Sequence, residues 1–196
     1  MPVHAQLRRR RVDTGNPPDD HGLGRSIVML TDDDRPIAPH LRAALPDDAG
    51  QLTHLALAAK ASWGYDAAFM ARCRDIMTIS PDAVARHPYY LIENAAGDTL
   101  GFYGFDLADG LLTLDWLFVA PGVQRQGLGR QLFDHATAVA RAGQYAYFRI
   151  ISDPHAEAFY LRLGARRCGS APSDLHPDRF LPVLRLDLAP RTPAVR

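Results

Sequence analysis

Apolar positions in this chain fall into segments whose spacing switches between that of strands and that of helices. Residues 40–44 read as a short strand. Pro46-Asp47-Asp48 then opens a helix in which Leu52, Leu55, Ala56 and Ala59 recur at helical spacing to about Ala61. Ser62-Trp63-Gly64-Tyr65-Asp66 makes a corner, and Asp66 is placed to cap a second helix with Phe69, Met70, Cys73 and Ile76 on one side. Ser80-Pro81-Asp82 starts a further short helix, with serine at the cap and proline at the first helical position. Residues 89–94, 100–107 and 111–119 read as an antiparallel meander whose links are 95–98 and Ala108-Asp109-Gly110. A helix follows from near Gly127, carrying Leu128, Leu132 and Ala136, and Gly143 is expected to end it as a left-handed cap. Residues 145–151 form a nearly continuous apolar strand. A right-handed crossover makes this strand the parallel neighbour of 111–119, with a ligand crevice at their carboxyl ends. Asp153-Pro154 begins another short helix, stopped by Gly164. The last apolar strand, 180–188, is expected after a loop containing Gly169, Pro172 and Pro177. The pattern predicts an α/β fold with a mixed sheet flanked by helices.

Composition narrows the class. The 196 residues are 47% hydrophobic and 22% charged, enough for a full core, and the formal net charge is zero, so no global field draws the chain to nucleic acid or an anionic membrane. Residues 1–39 are polar and broken up: the arginines at 8–11 are offset by acidic runs, so this stretch reads as a flexible tail, as do residues 189–196. The folded domain is expected at 40–188. Two cysteines, Cys73 and Cys168, are too few for a disulfide framework and are expected to be reduced core thiols. The absence of a membrane-length apolar run and of a signal-type leader suggests a cytoplasmic location. No H-x-x-H or H-E-x-x-H spacing and no Cys-His cluster points to a metal, and no serine nucleophile elbow points to a covalent acyl-enzyme.

The candidate chemistry begins where the strand ending in Leu117-Phe118-Val119 gives way to Gln124-Arg125-Gln126-Gly127-Leu128-Gly129-Arg130. The first turn of a helix has N–H groups without intrahelical acceptors and the positive end of the dipole. Gly127 and Gly129 allow close approach of an anion, Arg125 and Arg130 add charge at the rim, and the expected occupant is a pyrophosphate. A Walker loop is excluded because the only lysine, Lys60, is far upstream. A dinucleotide fingerprint fails because Gly129 is followed by Arg130-Gln131-Leu132. What remains is Q-x-x-G-x-G, formed by Gln124, Gly127 and Gly129, which resembles the acetyl-CoA loop of the GCN5-related N-acetyltransferases (GNAT).

A second stretch strengthens the likeness. Ala156, Phe159, Tyr160, Leu163 and Gly164 stand at the spacing of the N-x-x-A-x-x-F-Y-x-x-L-G-F motif that this family carries after its crossover strand, with Asp153 in place of Asn and Ala165 in place of the aromatic residue. The resemblance runs from about Leu41 to Leu188. It implies a twisted mixed sheet of about six to seven strands, splayed between the strands ending at Val119 and Ile151. There the backbone at Leu117, Phe118 and Val119 would pair with the amides of pantetheine. It also implies acetyl-CoA as cosubstrate, no metal, and an acetyltransferase acting on a small-molecule or peptide amine, with a homodimer left open.

Such a reaction needs a base for the incoming ammonium and a proton donor for the departing thiolate. By resemblance Tyr160 is the acid; the bland alternative is a core tyrosine beside Phe159. Asp115 is the candidate base, since a charge in so apolar a strand calls for a reason, alternating there with Thr113 and Leu117; the competing explanation is a structural pair with an arginine. Glu93 and Asp106 are weaker candidates. Trp63 and Tyr65 either seal the helix corner or wall the acceptor pocket. Asp153 accepts but cannot donate, so its contact with the cofactor is less secure than that of the family's Asn. Two rival readings are a noncatalytic acetyl-CoA sensor and an interaction module of the same fold.

Overall fold

A computed structural model describes residues 39–188; the arginine run at 8–11 and the two segments read as tails lie outside the described residues, apart from Pro39. In chain order the elements are β1 (His40–Ala43), α1 (Ala49–Ala61), α2 (Ala67–Ile76), α3 (Pro81–Arg86), β2 (Tyr89–Glu93), β3 (Thr99–Ala108), β4 (Leu111–Val119), α4 (Leu128–Ala142), β5 (Tyr147–Ile151), α5 (Pro154–Arg162), β6 (Arg166–Ser173) and β7 (His176–Asp187). The seven strands form one sheet in the order β1-β2-β3-β4-β5-β7-β6, antiparallel throughout except for the β4–β5 pair. The mixed sheet expected from the pattern is therefore present.

Local signals account for most element boundaries. Asp66 accepts from the Phe69 N–H at 2.7 Å and Ser80 from the Ala83 N–H at 3.1 Å, each satisfying a donor left over at a helix start. Between β3 and β4 the two-residue link Asp109-Gly110 has positive φ at both positions, 52° and 75°, which matches the right-handed twist of the strands it joins. Helix α4 buries Leu128, Leu132, Phe133, Ala136 and Ala140 against the sheet, together with α5. Leu132 and Phe133 are almost wholly enclosed, and burial of each stabilises the fold by about 1.5–3 kcal/mol. On the opposite face, α1 and α2 cover Leu91 and Phe102 with Leu52, Ala56, Phe69 and Cys73.

Four expectations are corrected. The stretch with Gly169 and Pro172 is not a loop: β6 pairs with β7 in a long hairpin, and β7 starts at His176 rather than near Phe180. Cys168 lies on that edge strand and is exposed, whereas Cys73 is a buried thiol. Gly143 has φ −74°, and the left-handed residue after α4 is Gln144 at 61°. Finally, Asp115 does not alternate simply with Thr113 and Leu117. Gly104 pairs with Trp116 and Phe105 with Leu114, so Asp115 is the extra residue of a β-bulge. Before it Leu112 and Leu114 face α4; after it Leu117 and Val119 do, while Trp116 and Phe118 turn toward α1.

Candidate active site

The site opens where the sheet stops being a sheet. β4 and β5 are paired only at Thr113↔Arg149 and Leu114↔Ile150, although β4 runs on to Val119. Beyond that point the two strands diverge, and the β5-facing edge at Leu117, Phe118 and Val119 has no partner strand. An unpaired edge presents a row of N–H and C=O groups that an extended amide-bearing ligand can join as a strand would. Gln124 covers one of these groups, its amide donating to the Val119 carbonyl at 3.3 Å.

Past the end of β4 the chain makes the glycine-containing loop that leads into α4. Arg125 and Gly127 both adopt left-handed conformations, at φ 64° and 87°, which turns the backbone into the first turn of α4. Among the described residues, no backbone acceptor meets the N–H groups from Gln124 to Arg130, and Gly127 gives α4 no side-chain cap. Gln124, Arg125, Gln126 and Gly127 are exposed, Leu128 is buried in the core, and Arg130 lies beside Asp134 at 3.4 Å. The two glycines do different work. A Cβ at Gly127 would stand in open space but in a strained backbone, whereas a Cβ at Gly129 would meet Phe159 at 3.5 Å and Val119 at 3.7 Å. A side-chain methyl at 129 would thus sit at ordinary contact distance between α4, α5 and β4.

Between the diverging strands lies a cleft of about 310 Å³. Asp115, Trp116, Leu117 and Phe118 form one wall, Ile151, Ser152 and Asp153 the other, and Tyr160 and Trp63 also line it. Tyr160 is 5% exposed, its ring packed on Phe159 and Phe133 at centroid distances of 5.1 and 5.8 Å. Burial disfavours its phenolate and pushes its pKa up, so the proton is held throughout the neutral range. Asp115 is reached by solvent yet surrounded by protein at the cleft wall. Desolvation first, then repulsion from Asp106 and Asp174, raises its carboxyl above the ordinary carboxylate range. It makes no ion pair among the described residues, so the arginine partner considered for it is not there. Glu93 is bound by Arg42 at 2.9 Å and Asp106 lies 3.6 Å from His87; neither lines the cleft.

Asp153 does more than cap α5. Besides accepting from the His155 N–H at 3.0 Å, it takes Lys60 Nζ at 2.8 Å, Arg179 Nη2 at 2.7 Å and the Tyr65 hydroxyl at 2.9 Å. Desolvation alone would raise its pKa; the Lys60 ammonium, the His155 amide and the Tyr65 hydroxyl outweigh it and hold the carboxyl below the usual range. Tyr65 is therefore turned away from the cleft lining, its ring stacked on Phe69 at 4.2 Å and its hydroxyl pushed up to about 12, first by burial and then by Asp153. Trp63 stays at the cleft, stacked on His155 at 5.8 Å. Lys60 and Arg179, both cleft-lining, escaped the sequence reading. One signal was available: Lys60 is the only lysine and falls one turn beyond Ala56 on the apolar stripe of α1. Among the described residues no group of three metal-ligating side chains is present, and no helix is long and apolar enough to cross a membrane.

Comparison with known proteins agrees with this arrangement. Residues 85–164 match the family model described as an acetyltransferase (GNAT) domain. No curated protein matches the chain. Among solved structures, a GCN5-related N-acetyltransferase from Rhodopseudomonas palustris shares 17% identity with a TM-score of 0.66, covering 79% of this chain and 98% of that one. The PaiA N-acetyltransferase from Thermoplasma acidophilum, solved in complex with coenzyme A, shares 12% identity at a TM-score of 0.65, covering 77% and 99%. A ribosomal-protein alanine N-acetyltransferase from Escherichia coli shares 18% at 0.58, covering 81% and 99%. The segment matched to the acetyltransferase (GNAT) domain spans the splayed β4–β5 pair and the free amides before α4, and the chain shares the fold of these N-acetyltransferases.

Proposed function

We propose that this chain transfers an acetyl group from acetyl-CoA to the primary amine of a small molecule or peptide, by direct attack within a ternary complex. The observation that carries this reading is a convergence: the unpaired edge of β4, Tyr160 and Asp115 share one cleft, and the loop with free amides follows directly from β4. The residues fit the cosubstrate. The amides from Gln124 to Arg130 suit a diphosphate, and the backbone at Leu117, Phe118 and Val119 suits the amides of pantetheine. When bound, acetyl-CoA supplies the activated acyl group.

The chain's own residues then handle protons. An alkylamine arrives protonated at neutral pH and cannot attack until a base takes that proton. Asp115 serves as this base; its raised pKa makes it a stronger proton acceptor than an ordinary surface carboxylate. Tyr160 keeps a donor at the cleft wall for the departing sulfur. Asp153 acts through Lys60, Arg179 and Tyr65, binding α1 and β7 to the start of α5.

Thiol release measured with a panel of amines tests the activity: release with at least one amine supports it, and coenzyme A binding without release from any would mark a sensor. Asp115→Asn is expected to lower kcat about a hundredfold, the lower end for a general base because solvent reaches this site and water can substitute in part. Wild-type kcat/KM should fall as pH drops through the raised Asp115 pKa, and the variant should lose that acid limb; a pH–rate profile identical to wild type would remove the assignment. Gly127→Ala is expected to weaken coenzyme A binding by roughly five- to thirtyfold. A side chain in the left-handed region costs about 1–2 kcal/mol, which the loop can relieve only by leaving its anion-binding shape. Gly129→Ala, with ordinary contacts for its Cβ, should bind more nearly like wild type, and calorimetric titration of both variants checks the contrast.

A further inference from the structure

The charges around Asp153 do not balance. Lys60 and Arg179 both pair with its carboxylate, and the side chains of Lys60, Asp153 and Arg179 are only 8%, 5% and 15% exposed. Two cations against one carboxylate leave a net positive charge withdrawn from water, a condition that costs several kcal/mol per ion unless another group compensates it. Tyr65 is neutral and bonds to both Asp153 and Arg179. Aromatic faces help: Lys60 Nζ lies 5.5 Å from the Trp63 ring centre and the Arg179 guanidinium 5.1 Å from that of Phe69. Such contacts contribute about 0.5–2 kcal/mol and do not replace a counter-ion.

Arg179 is well used, since it also donates to Ser173 Oγ at 3.2 Å. Lys60 is not. An ammonium has three donors, and among the described residues Lys60 gives one hydrogen bond, to Asp153. Its remaining donors belong to a nearly enclosed group on the lining of the same cleft as Asp115. The cleft's charges are thus separated. Lys60 and Arg179 gather at the Asp153 side, while Asp115 and Asp174, whose mutual repulsion contributes to the raised Asp115 pKa, gather at the β4 side.

From this separation we infer that the acceptor carries an oxyanion as well as its amine: the oxyanion completes the Lys60–Asp153–Arg179 cluster and the amine is presented to Asp115. The substrate class is an amino acid or another aminoalkyl acid rather than a simple alkylamine. This deepens the acetyltransferase reading and rests on it for the fate of the amine, but not for the anion site itself. A phosphonate or a carboxylate would supply the same chemistry.

The test compares acceptors that differ only in the acid group: ω-amino acids of increasing length and phenylalanine, each against the corresponding amine without its carboxylate, with aminoalkylphosphonates as a third arm. Wild-type kcat/KM is expected to favour the acids by at least about tenfold, the worth of one charge-assisted hydrogen bond of ~1.5 kcal/mol. The better of the carboxylate and phosphonate arms then identifies the oxyanion. Lys60→Met, which leaves Asp153 paired with Arg179 alone and so keeps a balanced pair, should abolish that preference, chiefly by raising KM for the acids, so that kcat/KM falls at least about tenfold more for the acids than for the bare amines. A second readout needs no turnover: amine-free carboxylic and phosphonic acids of the same lengths should raise the Tm of wild type and not that of Lys60→Met. Turnover with equal use of acids and amines, and no Tm shift, would overturn the anion site while leaving the acetyltransferase reading intact. A Lys60-dependent Tm shift without thiol release from any amine would do the reverse.

Discussion

Tyr160→Phe is expected to lower turnover by roughly a hundred- to ten-thousand-fold, the range for a positioned proton donor, while coenzyme A affinity stays close to wild type. The ring is fixed by Phe133 and Phe159, and phenylalanine preserves both contacts. Only the hydroxyl is lost, in a residue whose outer surface is the cleft lining. Because enclosure holds the phenol protonated at neutral pH, the wild-type group is in its donor form at every working pH, and the loss should be independent of pH between about 6 and 9. Single-turnover kinetics beside calorimetric titration of coenzyme A separates the two quantities. Unchanged turnover would reduce Tyr160 to a packing residue.

Asp153→Ala should be the most destabilising single change at the site, by about 3–5 kcal/mol, because it strands two enclosed cations that share one carboxylate. For a domain of this size that corresponds to a Tm lower by roughly 6–20 °C. Adding Lys60→Met should recover part of the loss, since only Arg179 then lacks a counter-charge. The pH dependence has a definite sign. The folded-state pKa of Asp153 is depressed, so its contribution is complete above about pH 4, where the unfolded side chain is ionised, and disappears as pH falls through the lower folded value. Wild type and Asp153→Ala should therefore converge in acid, and thermal melts from neutral to acid pH check this. Equal melting at neutral pH would mean that the ion cluster does not hold α1 and β7 to α5.

What could be read without coordinates and what could not divides along sequence separation. The caps at Asp66 and Ser80 act within three residues, and the Asp109-Gly110 turn is encoded in two, so these features were plain from the chain itself. The glycine loop before α4 and the spaced residues of α5 are equally local. Lys60 and Asp153, however, are 93 positions apart, and nothing near either one announces the other. Arg179 lay inside a stretch whose prolines and glycine suggested a loop, but those residues occupy an edge hairpin where missing donors are tolerated. The bulge at Asp115 was hidden for a different reason. Leu111 to Val119 is apolar enough that either alternation of faces satisfies it, and only the register against Gly104 and Phe105 decides between them.

That extra residue makes β4 one position longer than its ladder needs. With Asp115 deleted, Leu114 and Trp116 would follow one another opposite Phe105 and Gly104, and every side chain downstream would keep its side: Trp116 and Phe118 toward α1, Leu117 and Val119 toward α4. The carboxylate at 115 can thus be dropped by shortening the strand while both hydrophobic layers stay as they are, whereas loss of any single neighbour in β4 would turn part of the strand over.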